Sequence, residues 1–132
     1  LDDEFFLSRV YSIDIDSHCA RVQNTYFSRS NIVPVTESMS LYQYPEVPSV
    51  VINTSTEHVD QNTYDMWWNN IPQDTWYMIQ GNNLKDDEHY RLHDTMEEFK
   101  TANHANQVTK ESTIICQGPD GPFNRYTVMG VK

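Results

Sequence analysis

Two cysteines and five histidines have the widest chemical reach in this 132-residue chain. Cys19 and Cys116 stand 97 positions apart, in no Cys-x-x-Cys motif, and no histidine is spaced to complete a zinc site with them. From the residues alone two readings stay open. One is a disulfide, which on closing so long a loop stabilises a fold by roughly 4–5 kcal/mol in the chain-entropy model and implies an oxidising compartment. The other is a pair of free buried thiols. His89 and His93 are four apart, a chelating spacing on a helix, but no third ligand is evident. The pair reads as solvated, and no metal site is assigned. The chain shows no nucleophile elbow, Gly-rich phosphate loop or Cys–His constellation, and no two titrating side chains can be given acid and base roles. No catalytic residue is therefore expected. Asn53-Thr54-Ser55 fits the glycosylation sequon, but inside an expected strand a chance match is the simpler account.

The composition limits what can position these residues. Nineteen acids against nine bases give a net charge of −10, which sets nucleic acid aside as a partner. The acids are scattered, as on a solvated, self-repelling surface rather than a cation-binding face. No run approaches the ~20 apolar residues of a membrane span. The sequence opens at Leu1 without an initiator Met or a signal pattern, as expected of a processed mature protein or an excised domain. Eight tyrosines, five phenylalanines and three tryptophans against four glycines exclude a disordered tail.

Alternation and turn residues predict a mostly β fold. Strands are expected over 5–15, 19–27, 32–42, 50–59, 64–68 and 75–80, with Pro34 marking an edge or a bulge. One helix is expected from Lys85 to Asn103, with Asn83 as its cap and Leu92, Met96 and Phe99 as its apolar stripe. Short strands follow at 112–116 and 125–131, around the breaker Gly118-Pro119-Asp120-Gly121-Pro122. An antiparallel meander closed into a barrel would leave no free edge.

In order along the chain, several motifs resemble those of the lipocalin family. Phe6-Leu7-Ser8-Arg9-Val10-Tyr11 is similar to the opening Gly-x-Trp block, with Ser8 and Val10 in place of Gly and Trp. Cys19 to Tyr26 resembles the second strand with its disulfide cysteine. Val59-Asp60-Gln61-Asn62-Thr63-Tyr64 loosely matches the Thr-Asp-Tyr block. Trp76 to Leu84 resembles the final barrel strand, with Gly81 where the family usually has Arg. The resemblance implies a shortened up-and-down barrel with one C-terminal helix outside it over residues 1–117, and a C-terminal extension over 118–132. It pairs Cys116 with Cys19. About one hairpin is lacking before Val50, so the barrel narrows.

What the resemblance implies for function is a non-enzymatic binding protein for a small apolar ligand: a pigment, lipid or retinoid-like compound. Val22, Tyr26, Val35, Met39, Trp67, Tyr77 and Ile79 are the expected lining. A bound pigment or lipid is the only cofactor implied. The alternative is a structural or docking subunit of a larger, membrane-associated complex in an oxidising lumen, meeting protein partners through Tyr42, Tyr44, Trp67, Trp68, Phe123, Tyr126 and residues 117–132. A pigment-modifying enzyme is a third class. Each places the protein outside the cytoplasm, secreted or in an organelle lumen such as that of the thylakoid.

Overall fold

The computed structural model describes residues 9–26 and 31–132. The chain forms two units, Leu1–Tyr42 and Gln43–Lys132. The expected first strand before Arg9, with the Phe6-Leu7-Ser8 part of the opening motif, lies outside the described residues, as do Phe27 and the turn over 28–30.

In the first unit, β1 (Val10–Asp14) and β2 (Ile32–Thr36) pair in parallel, from Val10 opposite Ile32 to Asp14 opposite Thr36. Parallel neighbours need a crossover, which α1 (Ser17–Tyr26) provides. The expected strand over 19–27 is therefore a helix. Val22 and Tyr26 fall four apart, a helical spacing that alternation disguised. The start signal is local: the Asp14 carboxylate accepts from Asp16 N at 2.8 Å, and the Asp16 carboxylate accepts from His18 N at 2.8 Å. β2 stops at Thr36 because Ser38 turns the chain. Its carbonyl accepts from Leu41 N at 3.0 Å, and its hydroxyl meets that of Ser40 at 2.9 Å. Pro34 stands opposite Ser12, in a strand whose one pairing among the described residues is with β1.

The second unit is a four-stranded mixed sheet in the order β3–β4–β6–β5. β3 (Val50–Asn53) and β4 (Trp76–Asn82) are parallel, and β6 (Gly121–Val131) runs antiparallel to both β4 and β5 (Val108–Gly118). Within this unit β3 and β5 are the outermost strands, so the antiparallel closed barrel gives way to an α/β arrangement. The crossover from β3 to β4 contains a 3-10 turn (Thr56–His58) and α2 (Gln61–Asn70). The residues expected as a strand over 64–68 are thus helical. Asp60 is the N-cap, accepting from Thr63 N at 3.0 Å and from its hydroxyl at 2.7 Å. Tyr64, Trp67 and Trp68, at i, i+3 and i+4, turn one buried face to the unit's interior.

The core is aromatic. Trp68 lies edge-on to Tyr77 with ring centres 5.0 Å apart, and Ile79, Phe99, Tyr126 and Val128 are completely or almost completely buried around them. Tyr77 stands opposite Gly130 on β6. A Cβ at Gly130 would lie 2.5 Å from the Tyr77 hydroxyl and 2.7 Å from the Gln107 carbonyl, so only glycine admits the ring there. The Lys132 ammonium donates to the Trp68 carbonyl and, at 2.6 Å, to that of Ile71, neutralising the carbonyl end of α2.

The helix expected from Lys85 to Asn103 is only α3, Met96–Ala102. Its cap is Thr95, which accepts from Glu98 N at 3.2 Å, while the Glu98 carboxylate accepts from Asp94 N, just before the cap, at 2.9 Å; the two bonds start the helix late. Asn83 instead accepts from Asn124 N at 2.7 Å, tying the end of β4 to β6. No helix among the described residues is long and apolar enough to cross a membrane.

Candidate functional site at the carboxyl ends of β3 and β4

In open sheets with parallel strands, ligands bind outside the carboxyl ends of those strands. Here that end is built by two segments: Thr54–His58 after β3 and Asn83–Asp94 after β4. Asn53 ends β3 by accepting from Ser55 N at 3.0 Å, and the Thr56 hydroxyl donates to the Gln80 carbonyl at 3.1 Å, drawing the 3-10 turn onto β4. Contact this close requires Gly81. A Cβ there would meet Thr56 Oγ1 at 2.6 Å and Phe99 Cε2 at 2.7 Å.

The turn delivers Glu57 and His58. Glu57 is 3 % exposed, and its Oε1 accepts from Asn82 Nδ2. Its Oε2 is buried with no hydrogen-bond partner among the described residues. The backbone carbonyl of Glu57 accepts from Tyr90 N at 2.8 Å and Arg91 N at 3.3 Å, holding the second segment against the turn. That segment supplies His89, whose ring meets the His58 ring edge-on with centres 4.6 Å apart. His89 Nδ1 lies 2.6 Å from the Leu84 carbonyl. A carbonyl only accepts, so Nδ1 carries a proton, and in the neutral ring Nε2 holds the lone pair. One carboxylate oxygen of Glu57 and one ring nitrogen of each histidine lie within 4.8 Å of one another.

Arg91 fixes the frame. It is 6 % exposed and donates to Gln61 Oε1 at 2.9 Å, the Thr56 carbonyl at 3.2 Å, the Ala102 carbonyl at 3.0 Å and Asn103 Oδ1 at 3.0 Å. Its guanidinium lies 4.0 Å over the Tyr64 ring. Desolvation lowers its pKa, and burial pushes that of Tyr64 well above the usual phenol range. These partners span both segments, α2 and the end of α3, so one side chain sets the position of all of them.

In the first unit, Asp14 ends β1 and faces the start of α1. Beside it an open groove of about 450 Å³ runs between Ser12, His18, Cys19, Val22, Gln23 and Ile32. Desolvation and then the Asp14 carboxylate push the Cys19 thiol up.

The expected lining residues divide between the units. Val22 is on α1, Tyr26 is 75 % exposed at its end, Val35 is on β2 and Met39 lies in the turn that follows; Trp67, Tyr77 and Ile79 pack within the second unit. Cys19 and Cys116 are free thiols, one on exposed α1 and the other on β5. The disulfide is thus overturned, and the localisation argument that rested on it loses its premise. Of the aromatics expected to face partners, Tyr42, Trp67, Trp68 and Tyr126 are buried. His89 has a histidine neighbour, but it is His58 rather than His93. Sequence reading missed Glu57 and His58. Their signal was a short β-branched run, Val50-Val51-Ile52, breaking into polar residues before a capped helix, the pattern of a parallel strand and its crossover.

No family model matches the chain, and no curated protein matches it significantly. Among solved structures it is similar to the N-methyltransferase NodS from Bradyrhizobium japonicum, at TM-score 0.66 and 10% identity, over 94% of this chain and 74% of that one. A SAM-dependent methyltransferase from Methanosarcina mazei matches at 0.66 and 10%, over 94% and 82%. One from Leishmania major matches at 0.66 and 11%, over 92% and 55%. The chain thus has the fold of these methyltransferases and spans between about half and four fifths of their lengths. The lipocalin resemblance, and with it the non-enzymatic pigment or lipid carrier, is overturned by this fold.

Proposed function

We propose that this protein binds S-adenosylmethionine and takes part in methyl transfer. The observation that carries the reading is the likeness to methyltransferases over more than nine tenths of the chain, across both units. The residues are compatible with such a nucleoside. In sheets of this kind an acid at a strand's carboxyl end receives ribose hydroxyls, and Asp14 occupies such a place, its carboxylate steadied by Asp16 N. When bound, S-adenosylmethionine supplies a methyl group activated by a sulfonium. The chain's part is to seat the nucleoside and to hold an acceptor in line. Its four glycines stand at 81, 118, 121 and 130, all in the second unit, so Asp14 is the nucleoside-binding element its own residues offer.

Binding is therefore the measurement to make first. Calorimetric titration with S-adenosylmethionine and S-adenosylhomocysteine should show saturable uptake. Asp14→Ala should weaken it roughly 10- to 100-fold, the worth of hydrogen bonds to a charged group. Absence of binding to either compound, or full binding by the variant, would sink this reading.

A further inference from the structure

We propose that Glu57, His58 and His89 form a binding site for a divalent transition ion of the zinc class. This inference does not depend on the methyl-transfer reading. Three protein ligands, one carboxylate and two imidazoles, are the set that zinc takes where it keeps an open coordination position. The mixture also selects among metals, because imidazole favours zinc and its neighbours, whereas magnesium and calcium prefer all-oxygen shells.

Three independent features point to an ion rather than to a chance cluster. The ligand atoms already lie within 4.8 Å of one another, and bonds of about 2.0–2.2 Å need only a modest inward movement. The Glu57 side chain is 4 % exposed, its Oε1 lies 4.0 Å from His58 Nε2, and its Oε2 has no hydrogen-bond partner among the described residues. A buried carboxylate this sparsely paired is costly, and a cation beside it supplies the charge it lacks. Last, the outer groups are set as they are around bound metals. The Leu84 carbonyl holds the proton of His89 on Nδ1, leaving Nε2 to bind, and Asn82 orients Glu57 through Oε1 while its own Oδ1 accepts from Leu84 N at 2.9 Å. Both histidines come from segments locked by the Glu57 carbonyl, so the site forms with the fold rather than on demand.

The test is titration of chelator-treated protein with zinc chloride, followed by calorimetry. One ion per chain is expected, with Glu57→Gln and His89→Gln each weakening uptake at least about tenfold. Glu57→Gln retains the volume and an oxygen that can accept from Asn82, while it removes the charge and exchanges the other oxygen for an NH2 group. His93→Gln, a histidine of the same segment outside the cluster, should bind as the wild type does. X-ray absorption on the zinc-loaded wild type needs no variant to fold, and it should report two imidazoles and no sulfur in the first shell. Failure to bind zinc, equal binding by Glu57→Gln and wild type, or a thiolate from Cys19 or Cys116 on the metal would overturn the proposal.

Discussion

α1 and α2 are both ten residues long and both begin behind an aspartate whose carboxylate accepts backbone N–H groups, yet α1 buries no residue and α2 buries three aromatic rings. The contrast separates what starts a helix from what keeps it. Caps and local turns suffice to nucleate either one, whereas lasting helical stability comes from a packed apolar face. The candidate site leans on the packed helix, since Arg91 lies over Tyr64 and bonds Gln61. Amides of α1 should accordingly exchange with solvent faster than those of α2.

Truncating the packed face should have the largest effect. Trp68→Ala should cost about 3–5 kcal/mol in denaturant unfolding, against about 0.5 kcal/mol for Tyr26→Ala on α1; comparable losses would erase the distinction between the helices. Gly130→Ala comes next. Its new methyl meets the Tyr77 ring under α2, and about 1–3 kcal/mol of overpacking is expected, visible as a lowered melting temperature. Removing the caps sharpens the comparison further. Asp60→Ala and Asp16→Ala should each cost about 1 kcal/mol, the first in global unfolding and the second only in exchange of α1 amides.

The smallest effect is one of pH. The His93 ring packs against Phe99, its buried Nε2 has no partner among the described residues, and desolvation followed by the charge of Arg91 holds its pKa below the ordinary 6.5. The unfolded chain therefore binds this proton more readily than the folded one. Stability from this group is complete above about pH 6.5 and is lost as pH falls below that value towards the folded pKa. His93→Gln should flatten that part of a melting-temperature profile taken between about pH 5 and 7; an unchanged slope would assign the effect to another group.

Much of the second unit was legible in the residues. β4 and β6 alternate, and the Gly118–Gly121 breaker makes the tip of the hairpin between β5 and β6. The two crossover helices were not legible as helices, because each is short and rich in aromatic or β-branched residues, a composition that reads as strand. Once α1 and α2 are taken as strands, every parallel pair becomes a hairpin and a barrel follows. Asp16 and Asp60 were the signals against this, each an aspartate just before an apolar pair at helical spacing. The site was harder to see. Glu57, His58 and His89 are separated by 30 residues and a full crossover, and only the pairing of β3 with β4 brings them together. The His89–His93 spacing drew attention to the right segment with the wrong geometry, since those residues are held by the Glu57 carbonyl instead of winding into α3.

The two free thiols have a practical consequence. Cys19 is exposed in one unit and Cys116 is half-buried in the other, so the natural sequence already carries one attachment point for a fluorophore on each. With Cys116 the less accessible, graded maleimide coupling can place donor and acceptor dyes in a known order. Energy transfer between them then reads the separation of the units, and its response to zinc or S-adenosylmethionine, without any engineered cysteine.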